Sequence, residues 1–176
     1  MNKLHKTAVS KSGIVLFAKQ PGKTSFSSLY TIKHALGTNK VGHTGTLDSF
    51  ACGLLVVCAG SLTRLASRIT AFDKTYEAVV CFGKETDTLD PAGTTVKTGP
   101  LPLLAQIENS LALFKGCMQQ VPPSFSAIHL NGKRASDLAR SGKSAEIPAR
   151  PVTVYSSEVL EVQTENGDFF LPEPFS

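Results

Sequence analysis

The sequence predicts a domain of mixed α and β structure, and three observations carry that expectation. Two short apolar runs bounded by turn residues, 13–18 and 54–59, have the length and composition of buried strands. Elsewhere apolar residues recur at helical spacing, as at Leu104, Ile107, Leu111 and Phe114, with Gly116 as a stop. At 176 residues and 18.7 kDa, the chain is long enough for one domain with its own core.

Residues 1–12 are polar and are expected to be disordered, which places the folded domain at 13–176. After the first strand, Lys19-Gln-Pro-Gly-Lys-Thr-Ser25 turns the chain, and Thr24 or Ser25 can cap a helix running to Leu36. Phe26, Leu29 and Leu36 give that helix its apolar stripe, and Gly37 stops it. The segment also imitates the end of a P-loop, because Gly22-Lys-Thr24 lies between a strand and a helix. A phosphate cradle needs glycine five places earlier, and that place is Phe17.

Beyond the second strand, residues 61–68 form a short helix candidate carrying Arg64 and Arg68 four apart. Residues 74–82 alternate as a strand, with Tyr76, Ala78, Val80 and Phe82 on one side. Residues 83–93 are a polar, turn-rich loop. Its Asp87 and Asp90 lack the further oxygen or imidazole ligands of a metal site and read as turn-stabilising side chains. Asn131-Gly132 marks a turn before a short basic helix, 133–142, that ends in glycine. Residues 152–162 read as a strand, Asn166-Gly167 as a hairpin turn and 168–171 as the start of the partner strand.

Composition narrows the function classes. Hydrophobic content of 41% and charged content of 18% suit a soluble globular protein. No apolar run approaches the roughly 18–20 residues of a membrane span. The first residues have no apolar stretch directly behind them, so a signal peptide is not expected and a cytoplasmic location is. Cys52, Cys58, Cys81 and Cys117 show no metal-ligand spacing and are expected to be reduced. The net charge is +4, but it is unevenly spread: residues 1–50 hold seven lysines and one acid, Asp48. Residues 115–150 hold six basic residues against Asp137 and Glu146. Two basic segments in an otherwise acidic chain suggest a polyanion-binding face.

The stretch with the densest chemistry is Val41-Gly-His-Thr-Gly-Thr-Leu-Asp-Ser-Phe-Ala-Cys-Gly-Leu-Leu55. Gly42, Gly45 and Gly53 surround one acid, Asp48, with His43 close before it. Glycine lets a backbone turn sharply or lie against a ligand. Asp48 could serve as a turn residue or helix cap. Presented on a tight loop beside a buried strand, it could equally serve as nucleophile or general base.

The whole string resembles the catalytic motif of the TruB-type tRNA pseudouridine synthases, Gly-His-Thr-Gly-(Thr or Ala)-Leu-Asp-Pro-Leu-Ala-Thr-Gly-(Leu or Met)-Leu. Ser49, Phe50 and Cys52 depart from it, while the Gly-His-Thr-Gly-Thr-Leu-Asp core is intact. Further segments resemble the same family. Lys19 to Ser25 is similar to Lys-Pro-x-Gly-x-(Thr or Ser)-Ser, with the proline moved one place. Asp73-Lys-Thr-Tyr76 matches Asp-Lys-x-Tyr, and residues 83–93 are close to Gly-x-x-Thr-Asp-Thr-x-Asp-x-x-Gly. Residues 121–129 correspond to Pro-x-Tyr-Ser-Ala-x-Lys, with Phe125 for the tyrosine and His129 for the lysine.

The resemblance implies an α+β pseudouridine synthase fold, a mixed and largely antiparallel sheet flanked by helices, truncated at its C-terminus. Within it, residues 13–176 would be the N-terminal portion of the catalytic domain, without the small C-terminal RNA-binding domain. The implied activity is isomerisation of uridine-55 in the T-loop of tRNA, with a catalytically silent tRNA-binding fragment as the alternative. The implied partner is the T-arm of tRNA, met by a monomer, with no metal and no organic cofactor. Asp48 would be the nucleophile, Tyr76 the platform for the flipped base, and His43 would brace the space that the base leaves. Lys19, Lys40, Arg134 and Arg140 would meet phosphates. The family continues past this point into Cys-Ser-x-Gly-x-Tyr-Ile-Arg, whose arginine pairs with the catalytic aspartate, and that motif is not in these 176 residues.

Overall fold

The computed structural model describes residues 11–123, 125–126, 128–130, 132–141, 147–164 and 169–170. The chain divides into two units, Met1–Ala78 and Val79–Ser176.

In the first unit the sheet is built on β3 (Gly53–Ala59), whose neighbours are β1 (Gly13–Lys19) and β2 (Val41–His43), giving the order β1-β3-β2. Both pairings are antiparallel, with Val15 opposite Val57 and Gly42 opposite Cys58. Helix α1 (Ser25–Leu36) covers one face of this sheet. Its N-cap is Thr24, whose hydroxyl accepts from Ser27 N–H at 3.0 Å, and Gly37 closes it in the left-handed conformation. Leu29, Ile32, Leu55 and Val57 form the core, with Val15, Phe17, Leu36 and Val41 packed around them. Each such buried aliphatic side chain contributes about 1.5–3 kcal/mol.

The expected apolar stripe on α1 needs one correction. Phe26 is exposed in the first turn, with Lys33 Nζ 5.5 Å above its ring, and Ile32 takes the place in the core. The three residues of β2 carry too little pattern to read from sequence; pairing with β3 makes them a strand. After β3 the chain winds through a 3-10 turn (Gly60–Leu65) into α2 (Ala66–Thr70), where a short helix was expected. Gly60 adopts φ 60°, and a Cβ there would meet the Ser12 side chain and the Lys11 carbonyl. Ser12 Oγ in turn accepts from Ser61 N–H at 2.9 Å.

The expected strand over 74–82 does not form. Residues 73–81 have no regular structure; Tyr76 is 72% exposed and Val79 101%. Alternation supplies a strand's faces, but a strand also needs a ladder partner, and none runs beside this segment among the described residues.

Among its described residues, the second unit has α3 (Leu104–Leu113), the short helix α4 (Ala135–Arg140) and four antiparallel two-stranded ladders. β4 (Lys84–Thr86) pairs with β5 (Thr95–Thr98) around the Asp87–Asp90 loop, and β6 (Gly116–Gln120) pairs with β9 (Arg150–Val154). β7 (His129–Leu130) and β8 (Lys133–Arg134) flank the expected turn, of which Gly132 is described and Asn131 is not. β10 (Val162–Gln163) pairs with β11 (Phe169–Phe170); the Asn166-Gly167 turn lies outside the described residues. The expected strand over 152–162 is therefore two pieces, β9 and β10, with 155–161 irregular between them. Asp87 and Asp90 do hold their turn: Oδ1 of Asp87 accepts from Thr94 N–H, and Oδ1 of Asp90 accepts from Thr88 and Ala92.

Candidate active site

The loop between β2 and β3 carries Asp48, and it is tied down along most of its length. At its start, Thr44 is buried, and its N–H and hydroxyl both donate to Val56 O, at 2.9 and 3.1 Å. Thr70 of α2 donates to Thr44 O at 2.7 Å. At its end, Gly53 stands opposite Lys19 in the ladder with φ 139°, a backbone conformation that favours glycine. Gly42 and Gly45 have no positive φ, and a Cβ on either would meet nothing within 4 Å. Folding of the described residues therefore does not demand glycine at those two positions.

Between these ends, the segment 19–25 grips the loop. Ser25 Oγ accepts from Leu47 N–H at 2.8 Å and donates to Leu47 O at 3.0 Å. Lys19 Nζ donates to Asp48 O at 2.9 Å and Ala51 O at 2.6 Å, with longer contacts to Gln20 O and Ser49 O. Gly22 N–H donates to Ser49 O at 2.7 Å, and Ala51 N–H donates to Asp48 O at 3.2 Å. The Asp48 side chain itself is exposed and takes no hydrogen bond from the described residues. A rigid backbone thus presents a free carboxylate, the geometry that a nucleophile or general base requires.

Lys19 was expected at a phosphate, and the structure places it differently. It is 1% exposed, and the three donors of its ammonium are taken up by backbone carbonyls. A buried cation needs such partners, and here they come from the loop it organises. Lys40 is exposed at the start of β2, as a phosphate contact would need to be. The side chains of Arg134 and Arg140 lie outside the described residues.

His43 ends β2 opposite Val57, and its Nδ1 is buried with no hydrogen-bond partner among the described residues. Tyr76 lies in the irregular stretch 73–81, and no hydrogen bond among the described residues joins it to the Asp48 loop. The described residues contain no group of three or more His, Cys, Asp or Glu arranged to hold a metal. No helix among them is long and apolar enough to cross a membrane. Two residues of this site were not singled out as functional from sequence. In sequence Ser25 reads as a possible cap and Thr44 as part of a motif, but both are buried and hold the loop.

The family model for the TruB family pseudouridylate synthase (N terminal domain) matches residues 33–171. The chain belongs to that family.

Several curated relatives carry the name tRNA pseudouridine synthase B. The one from Treponema denticola is 51% identical over 168 residues, covering 96% of this chain and 47% of that protein. The one from Borreliella burgdorferi is 48% identical over 151 residues, covering 85% of this chain and 54% of that protein. This TruB-family chain thus spans about half the length of the curated relatives it matches. Among solved structures, a crystal structure of a Cbf5-Nop10-Gar1 complex is similar with a TM-score of 0.50 and 23% identity, covering 89% of this chain and 37% of that one. That likeness bears on the fold alone, and it agrees with the expected α+β architecture.

Proposed function

We propose that this chain is the N-terminal portion of a tRNA pseudouridine-55 synthase, with Asp48 as its nucleophile. The observation that carries this reading is the Asp48 loop: its backbone is held at Leu47, Asp48 and Ser49, while the carboxylate is free.

The reaction breaks the glycosidic bond between ribose C1′ and uracil N1, turns the base, and joins C1′ to C5. The proton leaves C5 and N1 gains one, so no cofactor is consumed. A uridine within folded RNA must first leave its stack, at a cost of a few kcal/mol. Asp48 supplies the covalent partner during the exchange. His43 braces the vacated space from the end of β2, and the exposed ring of Tyr76 stacks on the flipped base. Lys40, Arg134 and Arg140 meet phosphates, the sequence-independent share of affinity. The second reading, a silent tRNA-binding fragment, is favoured by one observation: the Asp48 carboxylate forms no ion pair among the described residues, the Lys19 ammonium nearby being bound to backbone carbonyls.

Turnover by the unsubstituted chain, set beside that of Asp48→Asn, decides between them. The amide keeps the shape and loses the carboxylate, so pseudouridine formation on tRNA should vanish while binding stays within a few fold. Pseudouridine at normal rates in the variant would remove Asp48 from the mechanism. Tight binding by an unsubstituted chain that makes none would favour the silent fragment.

A further inference from the structure

We propose that Ser25 is a positioning residue for Asp48, resting on the reading of Asp48 as the nucleophile. Ser25 is the first residue of α1 and is 2% exposed. A serine at a helix start ordinarily caps the helix, but that task is already taken by Thr24, which accepts from Ser27 N–H. The Ser25 hydroxyl is therefore free for another partner, and both of its bonds go to one residue across 22 positions of sequence. It accepts from Leu47 N–H at 2.8 Å and donates to Leu47 O at 3.0 Å.

The geometric consequence falls on Asp48. Leu47 N–H belongs to the peptide unit before Leu47, and Leu47 C=O belongs to the unit that joins it to Asp48. Holding both groups restrains rotation at Leu47 and sets the plane from which the Asp48 Cα departs. On the far side of Asp48 the restraint is redundant: Asp48 O accepts from Lys19 Nζ and Ala51 N–H, and Ser49 O from Gly22 N–H. On the near side, the Ser25 hydroxyl is the group among the described residues that holds Leu47. Three successive carbonyls, 47 to 49, are thus bound by donors from the single segment 19–25, and Ser25 supplies the one without a substitute. With no side-chain partner of its own, the carboxylate is placed through the Cα–Cβ bond from which its rotamers start, and this clasp sets that bond's direction.

The test compares the full chain with Ser25→Ala, which removes both bonds, and Ser25→Thr, which keeps the hydroxyl. In Ser25→Ala the Leu47 amide should exchange with solvent at least about tenfold faster, while amides of β3 exchange as before. Turnover on T-arm RNA should fall on the order of 10- to 100-fold in kcat with KM unchanged, because a small misplacement of a reacting group costs rate rather than binding. Ser25→Thr should restore both. Unchanged exchange at Leu47, equal acceleration at Leu47 and throughout β3, or a loosened Leu47 with normal kcat would each overturn the proposal. If the unsubstituted chain makes no pseudouridine, the functional reading fails separately. The clasp is then judged by the Asp48 carboxyl 13C resonance: a shift in Ser25→Ala that reverts in Ser25→Thr supports it, and no shift overturns it.

Discussion

The Lys19 ammonium donates to the backbone carbonyl of Asp48 at 2.9 Å while remaining 1% exposed to solvent. A cation is here spent on the backbone of a loop, and the carboxylate three bonds away is left free. The positive charge that composition assigns to a polyanion-binding face is thereby reduced by one, and the Asp48 loop gains a restraint.

Lys19→Met keeps the stem and deletes the donors, leaving Ala51 O without its donor and Asp48 O with Ala51 N–H alone. We expect a loss of about 3 kcal/mol, read from the urea midpoint at constant m-value. A phosphate-contacting lysine would behave in the opposite way. Its removal would leave stability alone and flatten the salt dependence of RNA binding.

RNA affinity should fall clearly between about 50 and 200 mM salt, since basic residues concentrate in 1–50 and 115–150. Lys40 is exposed, so Lys40→Ala should lower the slope of log affinity against log salt by about one unit. Lys19→Met should leave that slope unchanged. Affinity independent of salt would count against the polyanion face.

Cys58 is fully buried in β3, and burial pushes its thiol up from the ordinary value. A raised thiol holds less thiolate at neutral pH and reacts more slowly. Cys52, Cys81 and Cys117 are exposed. Brief alkylation of the native chain at neutral pH should therefore modify those three at least about tenfold faster than Cys58, as mass spectrometry of the peptides would show. Comparable labelling at Cys58 would mean that the sheet opens readily.

Extending the chain through a Tyr-Ile-Arg segment of the family type should raise turnover on T-arm RNA. An arginine beside Asp48 would give the exposed carboxylate the ion pair it lacks among the described residues. Equal turnover by residues 1–176 and by the extended chain would show that the arginine is dispensable. Protection of the amides of 76–82 in the extended chain alone would identify that segment as a strand awaiting its ladder partner.

Local signals in the sequence determined much of the first unit. A strand, a capped helix stopped by Gly37 and a second apolar strand could be read because each is specified by neighbouring residues: period, cap and stop. The Asp48 motif was legible for a similar reason, since its residues are contiguous. Where a feature depends on a distant partner, the sequence was silent or misleading. Residues 74–82 have a strand's alternation without a ladder, and Val41–His43 has the ladder with hardly any pattern. Lys19 and Ser25 show the same limit at the site. A lysine reads as surface and a serine as a cap, because each is the commoner solution for that side chain in water. Only the fold brings 19–25 against 47–51, where the buried ammonium of Lys19 and hydroxyl of Ser25 bind carbonyls in place of solvent. Which residues form the motif is written along the chain; which residues hold its loop still is decided by burial.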